Sequence, residues 1–327
     1  MAKVSVIIPV YGVEKYIEKC ARQLFEQTLD DVEYLFIDDC TPDKSVEVLR
    51  QVLNDYPHRK GQVVIHRMEH NSGQAKVREW GMKHASGEYL IHCDTDDWPE
   101  NNQYAELYNA AVKESADLVF CDYYRVYPNG DRVYNCKNLN FEDKRELLIR
   151  MLSGYYDANQ LWSCLMKREL TQEIIYPDGN QGEDRVIMFQ AIKESSHIIY
   201  IKKALYNYFI NPESLQRTVK PEKLIERTLD SASNVKLIIR CMDTYNFSDI
   251  PEDSIVAFKF KTRVLLSIGL YDKRCRKLWY QLFPEINNKI LKNKYISKIS
   301  KVKEIIMRAH LGVIYGFIYY VIVKVVR

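Results

Sequence analysis

Between Val4 and Asp122 short β-branched runs alternate with segments whose apolar residues recur every three or four positions, and that alternation restricts the fold more than any other feature. Residues 4–10 predict a strand. Residues 14–27, with Tyr16, Ile17, Cys20, Leu24 and Phe25 on one stripe, predict a helix. Residues 33–37 predict a strand ending on Asp38 and Asp39, 44–54 a helix started by the Thr41-Pro42-Asp43 turn, and 63–66 a further strand. After Asn71-Ser72-Gly73 the spacing predicts a helix over 74–84, a strand over 88–93, a helix over 100–114 and a strand over 117–122. Strands that alternate with helices pair in parallel, because each return crossing takes a helix, and the helices bury both faces. The fold expected is α/β, a Rossmann-like, mostly parallel sheet flanked by helices.

The 327 residues, 46% hydrophobic and 28% charged, suit a globular chain with a sizeable core and about two domains. A net charge of only +3 argues against a nucleic-acid partner. The eight cysteines are scattered without C-x-x-C spacing, so a zinc ribbon or disulfide framework is not expected and a reducing cytosol is. Met1-Ala2-Lys3 runs straight into the first strand, which is too short an approach for a signal peptide.

In open sheets of this kind ligands bind beyond the carboxyl ends of the strands, where neighbouring loops diverge. The chain concentrates its chemistry there. Residues 9–12 follow the first strand, Asp38 and Asp39 end the second, Asn71-Ser72-Gly73 follows the third, and Asp94-Thr95-Asp96-Asp97 follows the fourth. Three carboxylates in four positions repel one another, which is costly at a strand end unless a cation neutralises them. Alone, such a cluster is explained as well by a solvated acidic turn. With three polar or glycine-bearing loops on the same rim, it points to a metal site. His66 and His70 straddle a strand end and lack an H-E-x-x-H helix, which favours polar packing over zinc. The chain has no G-x-x-x-x-G-K-S/T run to cradle phosphates and no G-x-G-x-x-G after the first strand, which argues against a dehydrogenase.

The runs Val4-Ser5-Val6-Ile7-Ile8-Pro9-Val10-Tyr11, Phe36-Ile37-Asp38-Asp39-Cys40-Thr41-Pro42-Asp43, Asn71-Ser72-Gly73-Gln74-Ala75-Lys76-Val77-Arg78, Ala85-Ser86-Gly87-Glu88-Tyr89-Leu90 and Asp94-Thr95-Asp96-Asp97 resemble, in order and spacing, the signature of the family 2 inverting glycosyltransferases. The resemblance covers about the first third of the chain strongly; Gln181-Gly182-Glu183-Asp184 and Lys203-Ala204-Leu205-Tyr206-Asn207-Tyr208 carry it to about residue 218. Gly12 and Glu79 depart from it, since the family usually has Asn at both positions. The resemblance implies the A-type glycosyltransferase fold and a nucleotide-sugar donor, expected to be a UDP-sugar. It implies that Asp39 accepts the uracil imide hydrogen, where a carboxylate bonding local amides is the alternative. Pro9 and Tyr11 would present backbone and ring to the base. Gly73 would let the backbone approach the nucleotide, and Arg78 would reach it or its phosphates. By the same analogy Asp97 coordinates the Mg²⁺ or Mn²⁺ that bridges the two phosphates, while Asp96 and Asp94 reach the metal shell or the ribose.

Transfer also needs a carboxylate to deprotonate the acceptor hydroxyl, and the matching position is Asp184, next to Glu183. Val186, Ile187, Phe189 and Ile192 behind the pair predict a helix whose first turn carries both acids at the positive end of its dipole. Helix-start acids are common for that reason alone. Of 24 tyrosines, Tyr123, Tyr124, Tyr127, Tyr134, Tyr155 and Tyr156 gather after the donor half, where they would stack on an acceptor sugar or pack the core.

The remainder of the chain changes character. Residues 221–280 carry apolar stripes that predict packed helices. Beyond Pro284 come Lys289, Lys292, Lys294, Lys298, Lys301, Lys303 and Arg308 against Glu304, with Ile296, Ile299, Val302, Ile306 and Ala309 on a shared helical face, and then the apolar run 311–323, closed by Lys324 and Arg327. That run falls short of the roughly 20 residues needed to span a bilayer, so a basic amphipathic tail lying on the inner leaflet is expected. The alternative is a helix docked on the catalytic domain or on a second copy of the chain, as a homo-oligomer. The division expected is a catalytic domain over 1–218, in which residues 1–122 bind the nucleotide sugar and residues 123–218 face the acceptor, then a helical region 219–284 and a membrane-associating tail 285–327. Such a tail suits a saccharide acceptor linked to a lipid, as in cell-surface polysaccharide synthesis. A non-catalytic sugar-nucleotide-binding scaffold is the competing reading, against which Asp97 and Asp184 stand.

Overall fold

The computed structural model describes residues 2–137, 139, 143–154, 158–211, 220–244 and 250–325. It divides into two compact units: 1–144, 158–176 and 187–212 make the first, and 145–157, 177–186 and 213–327 the second. The boundary expected at 218 falls outside the described residues, and two internal segments belong to the second unit.

In the first unit β1 (Val4–Val10), β2 (Val32–Asp38), β3 (Val63–Arg67) and β4 (Tyr89–His92) pair in parallel in the order β3-β2-β1-β4, with Val10 beside Asp38 and Ile7 beside His92. Val4, Val6, Ile7 and Ile8 are fully buried. That is why β1 is a continuous apolar run rather than an alternating one: helices cover both of its faces. Each such aliphatic side chain contributes about 1.5–3 kcal/mol by leaving water. The helices expected between these strands form as α1 (Ile17–Phe25), α2 (Ser45–Asn54) and α3 (Gln74–His84). α1 starts three residues later than the periodicity suggests. The backbone N–H groups of Gly12, Val13 and Glu14 donate instead to Thr41 Oγ1, Ser45 Oγ and Asp43 Oδ2, which lashes the loop after β1 to the loop after β2.

The rest of the sheet is where the structure adds to the sequence reading. β5 (Trp98–Pro99), β6 (Leu118–Val126), β7 (Arg132–Asn135), β8 (Cys164–Lys167) and β9 (Ile198–Phe209) extend it as β4-β8-β6-β9-β5, with β7 on β6. β6 and β9 run parallel, whereas β8 is antiparallel to β4 and β6, and β5 to β9. The helix expected from residue 100 begins later, as α4 (Gln103–Glu114), because Glu100 N–H is taken by Leu205 O beside β5.

The second unit contains α5 (Lys144–Ser153) apart from its first residue and the start of α6 (Glu183–Glu194), followed by α7 (Pro221–Thr244), α8 (Glu252–Val264), α9 (Lys273–Gln281), α10 (Lys298–Arg308) and α11 (Gly312–Val325). Its core includes Leu224, Ile238, Phe258, Phe260 and Trp279. Buried ionic groups organise its far end. Arg263 donates to Leu282 O and Phe283 O at 2.7 and 2.6 Å, and Glu304 accepts from Trp279 Nε1 at 3.3 Å and from Arg308 Nε at 3.0 Å. Glu304 and Met307 therefore face inward, and Ile299, Val302 and Ile305 stay exposed.

Candidate active site

Parallel pairing of β1 with β2 and β4 places the loops after these strands side by side. Asp39 N–H donates to Val10 O, and Thr95 Oγ1 donates to Pro9 O at 3.1 Å, so the acidic turn is tied to the first loop. Tyr11, on that loop, is 46% exposed and open to a ligand.

Asp39 is buried and accepts from Ser72 N–H at 2.7 Å with one oxygen and from Gly73 N–H at 2.8 Å with the other. It shapes the Asn71-Ser72-Gly73 turn. Gly73 has φ of +84°, a conformation costly for any residue with a Cβ, and it caps the N-terminus of α3. From α3 the buried Arg78 reaches Asp94, Nη2 to Oδ1 at 2.8 Å. One of the three carboxylates is thereby paired within the protein.

The other two are managed by β9 and by Asn211 just beyond it. Asp97 is 1% exposed; its Oδ1 accepts from Phe209 N–H at 2.7 Å and its Oδ2 from the Tyr206 hydroxyl at 3.1 Å. The same hydroxyl accepts from Asp94 N–H at 3.2 Å and so closes the turn. Tyr206 itself is locked by a stack on Trp162, 4.5 Å between centroids. Asp96 is half-buried and accepts from Asn211 Nδ2 at 3.2 Å. Burial, followed by the charges of Asp96 and Asp94, holds the Asp97 carboxyl well above the usual carboxylate range; burial and Asp94 raise Asp96 likewise, against the Asn211 bond.

A divalent cation would relieve this repulsion. Among the described residues no group of three or more His, Cys, Asp or Glu side chains makes a self-sufficient metal cage. The donor set nevertheless fits a hard cation of the Mg²⁺ type, which takes one or two protein carboxylates and completes its shell with water and substrate phosphate. Asp97, expected as the first ligand, has both oxygens engaged by β9, which makes Asp96 the more available carboxylate.

Asp96 and Asp97 line a cavity of about 240 Å³ whose other walls include Lys15, Tyr16, Lys19, Trp98 and Phe209. The Lys19 ammonium lies 3.1 Å from the centre of the Trp98 ring, and the Tyr16 hydroxyl donates to Asn211 Oδ1 at 3.3 Å. Motif reading missed Lys15, Lys19, Trp98, Phe209 and Asn211; it quoted Tyr206 without a role. Only the tertiary pairing of β9 gives these side chains their meaning.

In the second unit Glu183 and Asp184 occupy the first turn of α6, as the apolar spacing behind them predicts. α7 fixes the approach to them: Asn234 Nδ2 donates to Gly179 O at 2.8 Å and Gln181 O at 3.1 Å, and Arg227 Nε to Gln181 Oε1 at 2.8 Å. Asp184 Oδ1 accepts from Arg185 N–H at 2.7 Å. The Arg185 guanidinium lies 5.2 Å from the Phe258 ring centre, and burial together with Arg185 lowers the nearby Lys261 to about 8.

Among the other sequence candidates, His66 stacks on Trp80 at 3.9 Å and Trp80 on His84 at 3.9 Å, a packing role. Tyr123 is buried edge-on to Trp162, the Tyr134 hydroxyl donates to Asp122, and Tyr127 lines the cavity. Tyr155 and Tyr156 lie outside the described residues, as does Arg327.

Residues 5–203 match the sequence profile of the family described as glycosyl transferase family 2. Over 319 residues the chain is 25% identical to glycosyltransferase GlyA of Streptococcus pneumoniae, covering 95% of this chain and 44% of that protein. It thus spans less than half the length of that relative. The structure of S. aureus TarS 1-349 in complex with UDP-GlcNAc superposes with a TM-score of 0.58 at 18% identity, covering 94% of this chain and 92% of that TarS fragment. Mannosyltransferase PcManGT from Pyrobaculum calidifontis, in complex with GDP-Man and Mn²⁺, gives 0.51 at 14% identity over 98% and 87%. At those identities the two structures establish the fold alone.

Proposed function

The chain belongs to glycosyl transferase family 2, and from that premise we propose that it moves a sugar, with inversion, from a UDP-sugar to a hydroxyl of a saccharide acceptor. The observation that carries this reading is the acidic turn, whose three carboxylates are gathered and held at the rim by Arg78, Tyr206, Phe209 and Asn211. A turn that only needed solvation would not require buried partners from two other elements. The UDP-GlcNAc of TarS and the Mn²⁺ of PcManGT, both of the same fold, support a nucleotide donor and a divalent metal.

A bound Mg²⁺ or Mn²⁺ on Asp96, with Asp97 beside it, would act as a Lewis acid toward the departing diphosphate. Asp39 accepts the imide hydrogen of the base and keeps the glycine turn in place. Pro9 and Tyr11 flank the base. Arg78 holds Asp94 toward the ribose. Asp184 takes the acceptor proton as the acceptor oxygen bonds to the anomeric carbon, and the bond to the diphosphate breaks in the same displacement; Glu183 shares its helix turn.

The tail supports a lipid-linked acceptor presented at a membrane surface. No described helix is long and apolar enough to cross a bilayer. α10 and α11 instead leave Ile299, Val302, Ile305, Ile314, Phe317 and Ile318 exposed, among the lysines of α10 and the segment before it. Apolar side chains among cations suit the anionic inner leaflet.

Substituting Asp184→Asn tests the base assignment. UDP-sugar binding should persist while transfer falls by on the order of 10²-fold or more. Transfer at the wild-type rate would show that another group takes the proton.

A further inference from the structure

The cavity beside Asp96 carries two cations with no role in the chemistry above. Lys15 and Lys19 flank the entry of α1 and line the same cavity as Asp96. At about 240 Å³ it is smaller than the roughly 300–1,000 Å³ pockets that enclose drug-sized ligands, and right for one compact charged group. The Lys19 ammonium rests 3.1 Å from the centre of the Trp98 ring. Partial desolvation, then the Arg132 guanidinium, lowers its pKa from the ordinary lysine value. Tyr16, Trp98 and Phe209 give the cavity aromatic walls, while Lys15 and Lys19 themselves stay exposed at its mouth. Tyr16 also connects the cavity to Asp96 through Asn211.

The charge balance calls for these lysines. One divalent cation offsets the two phosphate charges of a nucleotide sugar, but not the carboxylate that holds it. Nor does it offset the charge that appears when the bond between the anomeric carbon and the phosphate oxygen breaks and its electron pair stays on that oxygen. Asp94 adds little to the deficit, because Arg78 already pairs it.

We propose that Lys15 and Lys19 form a diphosphate-binding pair that takes up the negative charge of the leaving nucleoside diphosphate, Lys19 lying on Trp98 until the phosphate arrives. This rests on the donor reading above and assigns to it two positioning cations that none of its motifs contains.

Calorimetric titration of the full chain with UDP and with uridine, in EDTA and again with Mn²⁺, separates the phosphate contribution from that of the base. Lys15→Gln and Lys19→Gln should each weaken UDP binding about tenfold, the loss expected for one charge-assisted contact. Uridine affinity should be unchanged, Lys19→Arg should restore UDP binding, and the effect should persist without metal. An unchanged ratio of UDP to uridine affinity, in variants whose thermal unfolding matches the wild type, would overturn the pair and leave the donor reading intact. Equal loss for UDP and uridine would overturn it too, since a structural role moves both. Failure of the wild-type chain to bind any nucleoside diphosphate would remove the donor reading and the lysine pair together.

Discussion

Lys261 shows what a single residue can cost a fold that keeps it. Its ammonium stands where a Cβ at position 154 would be, so Gly154, at φ of +73°, is needed both for its backbone and for its missing side chain. Burial and Arg185 pull the lysine from 10.5 to about 8. The folded pKa therefore lies below the unfolded one. Between these two values the unfolded chain holds a proton that the folded chain gives up, and stability rises with pH across that window. Lys261→Met should be more stable than the wild type at neutral pH by up to about 3 kcal/mol, with the gap closing as pH approaches 10.5. Urea unfolding at the two ends of that range checks it, and a gap that does not move with pH would mean that the charge is already balanced. Residues of the rim were easier to foresee than this one. Asp39, Arg78 and the acidic turn stand in runs whose order is recognisable, whereas Lys261 and Gly154 meet across more than a hundred positions, and nothing local marks either.

At the scale of elements, legibility followed length and period. The helices between the first four strands could be placed because nine to eleven residues carry a stripe. β5 has two residues and β8 four, too few for any period, so these antiparallel strands stayed hidden. The twelve-residue β9 stayed hidden for another reason, a burial pattern that does not alternate, and it matters because it supplies Tyr206 and Phe209, which hold Asp97. α10 shows a different limit. Its apolar stripe was visible in the sequence, yet the structure turns Glu304 inward and leaves Ile299, Val302 and Ile305 at 76%, 51% and 51% exposure. Glu304 wins that face because Trp279 and Arg308 satisfy it. The outward stripe is then available to a bilayer. Replacing Ile299, Val302 and Ile305 together by Gln should reduce flotation with anionic vesicles about tenfold or more, since each buried CH₂ contributes about 0.8 kcal/mol, without lowering the thermal midpoint. Flotation equal to the wild type's would assign the stripe to a protein partner.

At the scale of the whole molecule the two units carry separable shares of the proposed reaction. The first holds the loop after β1, the acidic turn and the lysine-lined cavity; the second holds the Glu183–Asp184 turn and the tail. Sequence motifs pointed to the rim loops and acidic turn of the first and to the acidic pair of the second, because these depend on short runs at strand or helix ends, and they missed the cavity lysines. They could not identify the acceptor, whose selection depends on pocket shape assembled from distant segments. The central claim, a metal-assisted transfer from a nucleotide sugar, is tested most directly by UDP release. The measurement is made across a panel of UDP-sugars with a lipid-diphosphate-linked saccharide acceptor, with and without Mn²⁺. The wild-type chain should release UDP from at least one donor in a Mn²⁺-stimulated manner, and Asp96→Asn should lose that release by on the order of 10²-fold or more, the loss expected when a charge-stabilising group is removed. Absence of both metal-stimulated release and nucleotide binding with every donor would contradict the account and return the scaffold reading to first place.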